Sequence, residues 1–360
     1  MDAFSATLLN TTLNPTDNET KICGGVPLRK RSHFNEDLYR DFYSLWITLI
    51  VVNTIMFVVG VVLNGLALYV FCLRIRLRTA PVVYTINLAV ADLLVALSLP
   101  ARIALYHSGG RCLSCSYVHT FSYFVNMYCS ILFLTSICVD RYMAVVWAGG
   151  ASLRWRSPGV AKSVSVAVWL FAVVITYSLQ TTAGLELEDE SLCCRLPLLF
   201  ALTVLEFVLP LLIIAGFTAR VACALADPRL MPQSCGRRAR AVRLLVAVLV
   251  VFAVCFTPFH VRQAVVYFHL GAGGGVSVEH AVAYHATVTL SSLNSCLDPV
   301  VYCFVPDNFR SALWRACRAE RREKVEQPTS GGDGDVGNGQ NGVATLTLTP
   351  CTLQSEGLSA

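Results

Sequence analysis

Charge is scarce in this chain. Only 14% of its 360 residues are Asp, Glu, Lys or Arg, against roughly one quarter in an ordinary soluble domain. A water-soluble globular protein is therefore excluded. The first forty residues lack an apolar stretch between a basic start and a small-residue cleavage site, so no cleaved signal peptide is expected. No internal repeat is visible, which disfavours a transporter built from related halves. No catalytic constellation stands out, so an enzyme is not expected. Most of the fifteen cysteines lie in apolar runs or among basic segments, where they are small apolar groups, and no cysteine metal site is expected, because paired cysteines in an oxidising compartment read as disulfides.

Apolar residues fill the gap: 55% of the chain is hydrophobic. Runs with at most one acid or base cover 42–73, 79–101, 112–139, 163–185, 196–219, 244–261 and 280–306. Each is near or above the roughly 18 residues that cross a bilayer as a helix. The fold class is therefore all-α: a seven-transmembrane helix bundle with a short amphipathic eighth helix. The domains follow as a glycosylated N-terminal tail (1–41), a seven-span domain (42–306), an amphipathic helix (307–322) and a disordered tail (323–360). The tail is rich in Gly, Thr, Ser and Asn and cannot bury enough surface to fold.

Loop charges set the orientation. Arg74, Arg76 and Arg78 follow span one, Arg154, Arg156 and Lys162 follow span three, and Arg220 to Arg243 bracket the gap between five and six. Those loops are expected in the cytoplasm. The loop after span four is acidic, ELEDE at 186–190, and the N-terminal tail carries sequons at Asn10 and Asn18. The expectation is a multi-pass plasma-membrane protein, N-terminus outside and C-terminus inside. Its net charge of +5 suits anionic membrane lipids and does not call for nucleic acid.

Three spans each carry one carboxylate, Asp92, Glu206 and Asp298. An ionisable group inside a membrane marks a functional site unless a structural partner explains it. A further acid, Asp140, stands beside Arg141 and Tyr142 at the end of span three. Such an arginine either marks the membrane boundary by snorkelling or exchanges its neighbouring acid for another helix or a partner protein. Pro100, Pro210, Pro258 and Pro299 each remove an intrahelical hydrogen bond and permit a bend.

Further landmarks stand in order along the chain: Asn64-Gly65, NLAVADLL at 87–94, Trp169, Pro210, CFTPFH at 255–260 and NSCLDPVVYCF at 294–304. Together with the Asp-Arg-Tyr triplet they resemble the rhodopsin-like family of G-protein-coupled receptors over residues 42 to about 318. Phe256, Pro100 and the Asp298-Pro299-Val-Val-Tyr302 form resemble its purinergic-like branch. NGLALYVFC, YTINL, LTVLEF, VTLSSLNSC and DPVVYCF are similar to one orphan member.

The resemblance implies a receptor whose partner is a heterotrimeric G protein, with arrestin as a second partner and an unknown ligand. It assigns the coupling switch to Asp140, Arg141, Tyr142, Tyr302, Phe256, Pro258 and Pro299, with Tyr302 swinging towards Arg141 as the inner end opens. Asp92, Ser130, Asn294, Ser295 and Asp298, with Asn126 nearby, would surround an allosteric sodium ion or a proton network. A protonated acid bonded to Asn and Ser is the alternative. No other cofactor is implied. The short third loop points to an inhibitory-type G protein. A transporter, or a receptor that only binds or escorts partners, is the rival reading.

In the outer half, position relative to the family's prolines makes a candidate ligand pocket of Arg102 and Tyr106 with Tyr123, Phe124 and Met127. Glu206, His260, Arg262, Gln263 and His285 complete it. Glu206 either pairs with Arg262 or His260 or receives a cationic ligand. Two departures stand out. Thr218 occupies the place of the family's tyrosine, eight residues after Pro210. His260-Val261-Arg262 replaces the nucleotide receptors' His-x-x-Arg, turning the arginine about 100 degrees around the helix. Resemblance further implies a bridge from Cys115 to Cys193 or Cys194, with Cys112 as the alternative to Cys115. After span seven, Cys317 is a candidate for palmitoylation at the end of the amphipathic segment.

Overall fold

The structure is a computed structural model that describes residues 22–23, 26–27, 36–74, 79–147, 150–185, 192–226, 235–271 and 278–302. The sequons at Asn10 and Asn18, the acids of 186–190, Cys317, the eighth helix and the tail lie outside the described residues. The same holds for the side chains of Cys193 and Cys194.

The spans are long helices. Span one is Tyr43–Tyr69, continued by a π turn at Val70–Arg74; span two is Ala80–His107; span three is Leu113–Val145. Span four is Pro158–Leu185, span five Leu192–Ala226 and span six Cys235–Gly271. Short helices precede span one (Glu36–Asp41) and follow span three (Gly150–Trp155). Two-residue strands β1 (Ile22–Cys23) and β2 (Val26–Pro27) pair antiparallel in the N-terminal segment.

Span one shows which solvent the bundle is built for. Ile47, Val51, Ile55, Val58 and Val62 recur at helical spacing and are exposed. The opposite face buries Trp46, Asn53, Met56, Gly60 and Asn64. A soluble protein would turn that aliphatic stripe inward. Here it faces outward, and the interior takes Asn53, Asn64, Asp92, Asn126, Ser130, Asn294 and Asp298, as lipid around a helix bundle requires. Among the described residues, six helices are long and apolar enough to cross a membrane by length and composition.

The seventh apolar run, expected as one span, is two helices, Val278–Ser292 and Asn294–Tyr302, meeting at Leu293. The second of these helices contains a proline. Pro299 has no N–H to give the carbonyl four residues back, that of Ser295. Asn64 of span one donates its Nδ2 to that carbonyl at 2.7 Å. The carbonyl that Pro299 leaves free is thus bonded by a side chain from a neighbouring helix, which a membrane interior demands of a freed backbone group.

Span three is the axis, packing against spans two, four, five and six, while the second half of span seven touches one, two and six. Asn87 ties spans two and four by accepting from Trp169 Nε1 at 3.0 Å and donating to Ser165 Oγ at 3.4 Å. Span two ends in a Schellman turn. Gly110 N donates to Leu105 O and Gly109 N to Tyr106 O, and both glycines have positive φ, 83° and 61°, as this cap requires. Gly60 serves close approach instead: a Cβ there would lie 3.0 Å from that of Ala96.

Candidate functional site

At one end of span three, Asp140 is nearly sealed from solvent, and two arginines hold it. Arg141 donates to Oδ2 from Nη2 at 2.8 Å and from Nε at 3.2 Å. Arg156 donates to Oδ1 from Nε at 2.9 Å. Arg156 comes from the turn between the short helix Gly150–Trp155 and span four, and Ser152 anchors that short helix by donating to Met143 O at 3.1 Å. In sequence Arg156 reads only as a loop charge. Its approach to Asp140 depends on how the connection folds back, which no local spacing reveals. Removing one partner of a buried ion pair costs roughly 3–5 kcal/mol, less here because both arginines are partly exposed.

Beside this clasp, Tyr142 stacks on Phe217 of span five, ring centroids 4.3 Å apart. Thr218 donates its hydroxyl to Ile214 O at 2.6 Å within its own helix. Its reach therefore ends inside span five, and nothing from position 218 bridges to Arg141.

Tyr302 is fully buried and turned towards the bundle centre. Its hydroxyl lies 2.7 Å from Asp92 Oδ2 and 3.2 Å from Asn64 Oδ1, and Phe71 packs on its ring edge-on at 6.1 Å. In this conformation Tyr302 belongs to the Asp92 network, not to Arg141.

Of the residues assigned to the central polar cluster, Asn126 bonds Asp92, donating from Nδ2 at 3.2 Å. Asp298 is fully buried near Asp92, and both of its carboxylate oxygens lack a hydrogen-bond partner, as do Ser130 Oγ and the Asn294 side chain. Ser295 is turned aside, donating its hydroxyl to Ser292 O at 2.9 Å. These buried, unpaired oxygens fit a hard cation, and equally a shared proton.

Above this cluster the rings of span six interlock. Phe256 meets Phe252 edge-on at 5.3 Å, and Phe252 stacks with Phe207 at 5.6 Å. Both phenylalanines are completely buried next to Pro258.

The expected pocket residues separate into groups at the other end. Arg102, Tyr106 and His285 form one, joined by Trp46. Arg102 Nε donates to Tyr106 Oη at 2.7 Å, and its Nη2 donates to His285 O at 3.0 Å. Tyr123, Phe124 and Phe259 pack ring on ring in the centre, at 5.1–6.0 Å, with Tyr123 Oη 3.6 Å from Met127 Sδ. Arg262 donates to Gln263 Oε1 at 2.6 Å and to His280 O at 2.9 Å, with its guanidinium over the Tyr284 ring.

No described contact joins Glu206 to His260. Both ring nitrogens of His260 lack a hydrogen-bond partner, and its ring stacks on Phe207 at 4.4 Å. Glu206 interacts instead with Tyr128. Of the alternatives for Glu206, a pair with His260 is not formed, since that ring stacks on Phe207, and a pair with Arg262 is not among the described contacts. Trp46, His119, Phe207 and Tyr284 belong to these groups and were missed. Each reads in sequence as one more apolar or aromatic residue of a span.

The cysteine expectation also needs correction. Cys115 is joined to Cys112, with Cα atoms 5.2 Å apart, so the bridge to Cys193 or Cys194 does not form with Cys115 here. Closing so short a loop costs little chain entropy, and the pair sits at the start of span three, where Cys112 Sγ caps the helix by accepting from Cys115 N.

Comparison with known proteins agrees with this architecture. Residues 63–302 match the family described as 7 transmembrane receptor (rhodopsin family). The chain is 49% identical to G-protein coupled receptor 20 of Homo sapiens over 300 residues, covering 83% of this chain and 80% of that protein. It is 34% identical over 298 residues to Proteinase-activated receptor 2 of Homo sapiens, covering 77% of this chain and 74% of that one. A purinoceptor of Rattus norvegicus is 34% identical over 284 residues, 74% of this chain and 78% of that one. The resemblance to the purinergic-like branch, and within it to one orphan receptor, is borne out.

Proposed function

The chain belongs to the rhodopsin family of seven-transmembrane receptors, signals through heterotrimeric G proteins from the plasma membrane and is not an enzyme; from that premise we propose that Asp140, held by Arg141 and Arg156, is the latch of its switch. The observation that carries this reading is the double grip on one buried carboxylate. Displacing Asp140 frees Arg141 to meet the C-terminal helix of the G protein, with Arg220, Arg240 and Arg243 around it. Family membership sets the transporter alternative aside.

The end bearing Asp140 faces the cytoplasm and the N-terminus lies outside, which the basic loops and the sequons at Asn10 and Asn18 support. Spans five and six stop at Ala226 and start again at Cys235. A third loop that short supports coupling to an inhibitory-type G protein. Arrestin binds the same inner face, Cys317 carries a palmitoyl anchor, and basic residues of the inner surface hold anionic lipids.

An opening motion at Pro258 and Pro299 pulls Tyr302 off Asp92 and towards Arg141, while Phe256 and Phe252 repack at the pivot. Asp92, Asp298, Ser130 and Asn294, with Asn126 and Ser295 beside them, would hold a sodium ion in the closed state. When bound it would supply charge compensation for two buried acids, and the unpaired oxygens of Asp298, Ser130 and Asn294 support its placement.

The test is a coupling panel without added ligand: cells expressing the chain are assayed for basal activation of each G-protein class. Activation confined to the inhibitory class supports the assignment. Activation of the stimulatory class alone would refute it, and substrate uptake in vesicles without nucleotide exchange would refute the receptor reading.

A further inference from the structure

Arg102 is 1% exposed, and its Nη1 has no hydrogen-bond partner. A buried guanidinium without a counter-charge is expensive, more so inside a membrane protein. Its described partners, the Tyr106 hydroxyl and the His285 carbonyl, are neutral, and among the described residues no carboxylate forms an ion pair with it. One N–H edge therefore remains for an anion.

Span three, which packs against span two, supplies a second unpaired polar atom. Ser98, Arg102 and Tyr106 are spaced four apart on span two and share one face of the helix. His119 of span three meets that face, its Nδ1 3.3 Å from Ser98 Oγ. The Ser98 hydroxyl gives its proton to Val95 O at 2.8 Å, so Nδ1 is the donor to Ser98. The Nε2 of neutral His119 then carries a lone pair, and it has no partner although His119 is 4% exposed.

These two atoms define the ligand's chemistry. Arg102 Nη1–H seeks an anionic oxygen, whereas the His119 lone pair repels a second one. The surroundings are rings: Trp46 lies 5.5 Å from Tyr106 and 5.3 Å from His285, and Tyr123 lies 6.3 Å from His119. We propose that Arg102 and His119 form a subsite for the carboxylate of a small apolar monoacid, entering from the end of the bundle opposite Asp140. Di- and triphosphates are excluded, because a single guanidinium beside a neutral imidazole cannot offset their charge. This deepens the receptor reading and rests on it.

The experiment uses the full chain in lipid nanodiscs. The thermal unfolding midpoint is followed against acetate, butanoate and 3-phenylpropanoate, each paired with its neutral amide, and basal GTPγS exchange is read on the same samples. At least one acid should raise the midpoint saturably while its amide does not. Arg102→Gln should weaken that acid by at least about tenfold, as for loss of a charged hydrogen bond, and Arg102→Lys should retain part of the effect. No midpoint shift with any acid, or equal shifts with acid and amide, would overturn the proposal without needing a variant. So would an Arg102→Gln protein that keeps the full shift. A shift that appears only after Glu186, Glu188, Asp189 and Glu190 are neutralised would mean that the chain supplies its own carboxylate, and overturns it equally. Loss of basal exchange with acid binding intact counts against the coupling reading alone.

Discussion

Asn64 Nδ2 reaches the Ser295 carbonyl at 2.7 Å, taking the place of the backbone donor that Pro299 lacks. The same side chain lies within 3.2 Å of Tyr302 Oη through its Oδ1 and donates to Gly60 O at 3.0 Å. One asparagine thus fixes the broken span seven and the tyrosine at its end. Asn64→Ala leaves a buried carbonyl unpaired and should cost about 1–3 kcal/mol, read as a lower thermal midpoint in detergent. An unchanged midpoint would mean that water or a backbone shift replaces the bond.

Tyr302→Phe tests the other half of that network. It removes the hydroxyl that bridges Asp92 and Asn64 and keeps the ring on Phe71. A loss of about 1 kcal/mol is expected for the missing bond, together with altered basal signalling at matched surface expression. Stability and signalling both equal to wild type would remove Tyr302 from the switch.

Gly60 allows spans one and two to touch, with 3.0 Å between its virtual Cβ and Ala96 Cβ. Gly60→Leu should therefore reduce surface expression, by overpacking worth about 1–3 kcal/mol, whereas Gly60→Ala combined with Ala96→Gly should recover most of the loss seen with Gly60→Ala alone. Additive effects in the double variant would show that the two positions do not meet.

The span pattern was legible because lipid leaves a signature that local reading catches: long runs with almost no charge. The prolines and the polar residues facing one another across the bundle followed from the same logic, and Asp92, Asn126 and Asp298 do come together. What escaped was whatever depends on the path of a connection or on one side chain's direction. Arg156 returns to Asp140 only because a short helix turns the chain back. His260 faces Phe207 instead of Glu206, and spacing along a helix does not distinguish those outcomes. The split at Leu293 was hidden for a similar reason, since an uninterrupted apolar run does not say where its backbone bends.

Thr218 spends its hydroxyl on Ile214 O, so the Arg141 side of the bundle lacks the tyrosine bridge usual in the family. Thr218→Tyr should change ligand-independent output severalfold at matched surface level, the size expected for one hydrogen bond of about 1 kcal/mol. Identical output in the two proteins would show that the position has no part in the opening.

The central claim is that Asp140 holds the bundle closed through two arginines. Its most direct measurement is GTPγS exchange on purified heterotrimer by the reconstituted chain without ligand, comparing wild type with Arg156→Ala and Arg141→Ala. Releasing Arg156 should raise the exchange rate, since one arm of the latch goes while Arg141 remains to engage the G protein, and Arg141→Ala should abolish it. Exchange that is unchanged by Arg156→Ala, or that survives Arg141→Ala in full, would contradict the account.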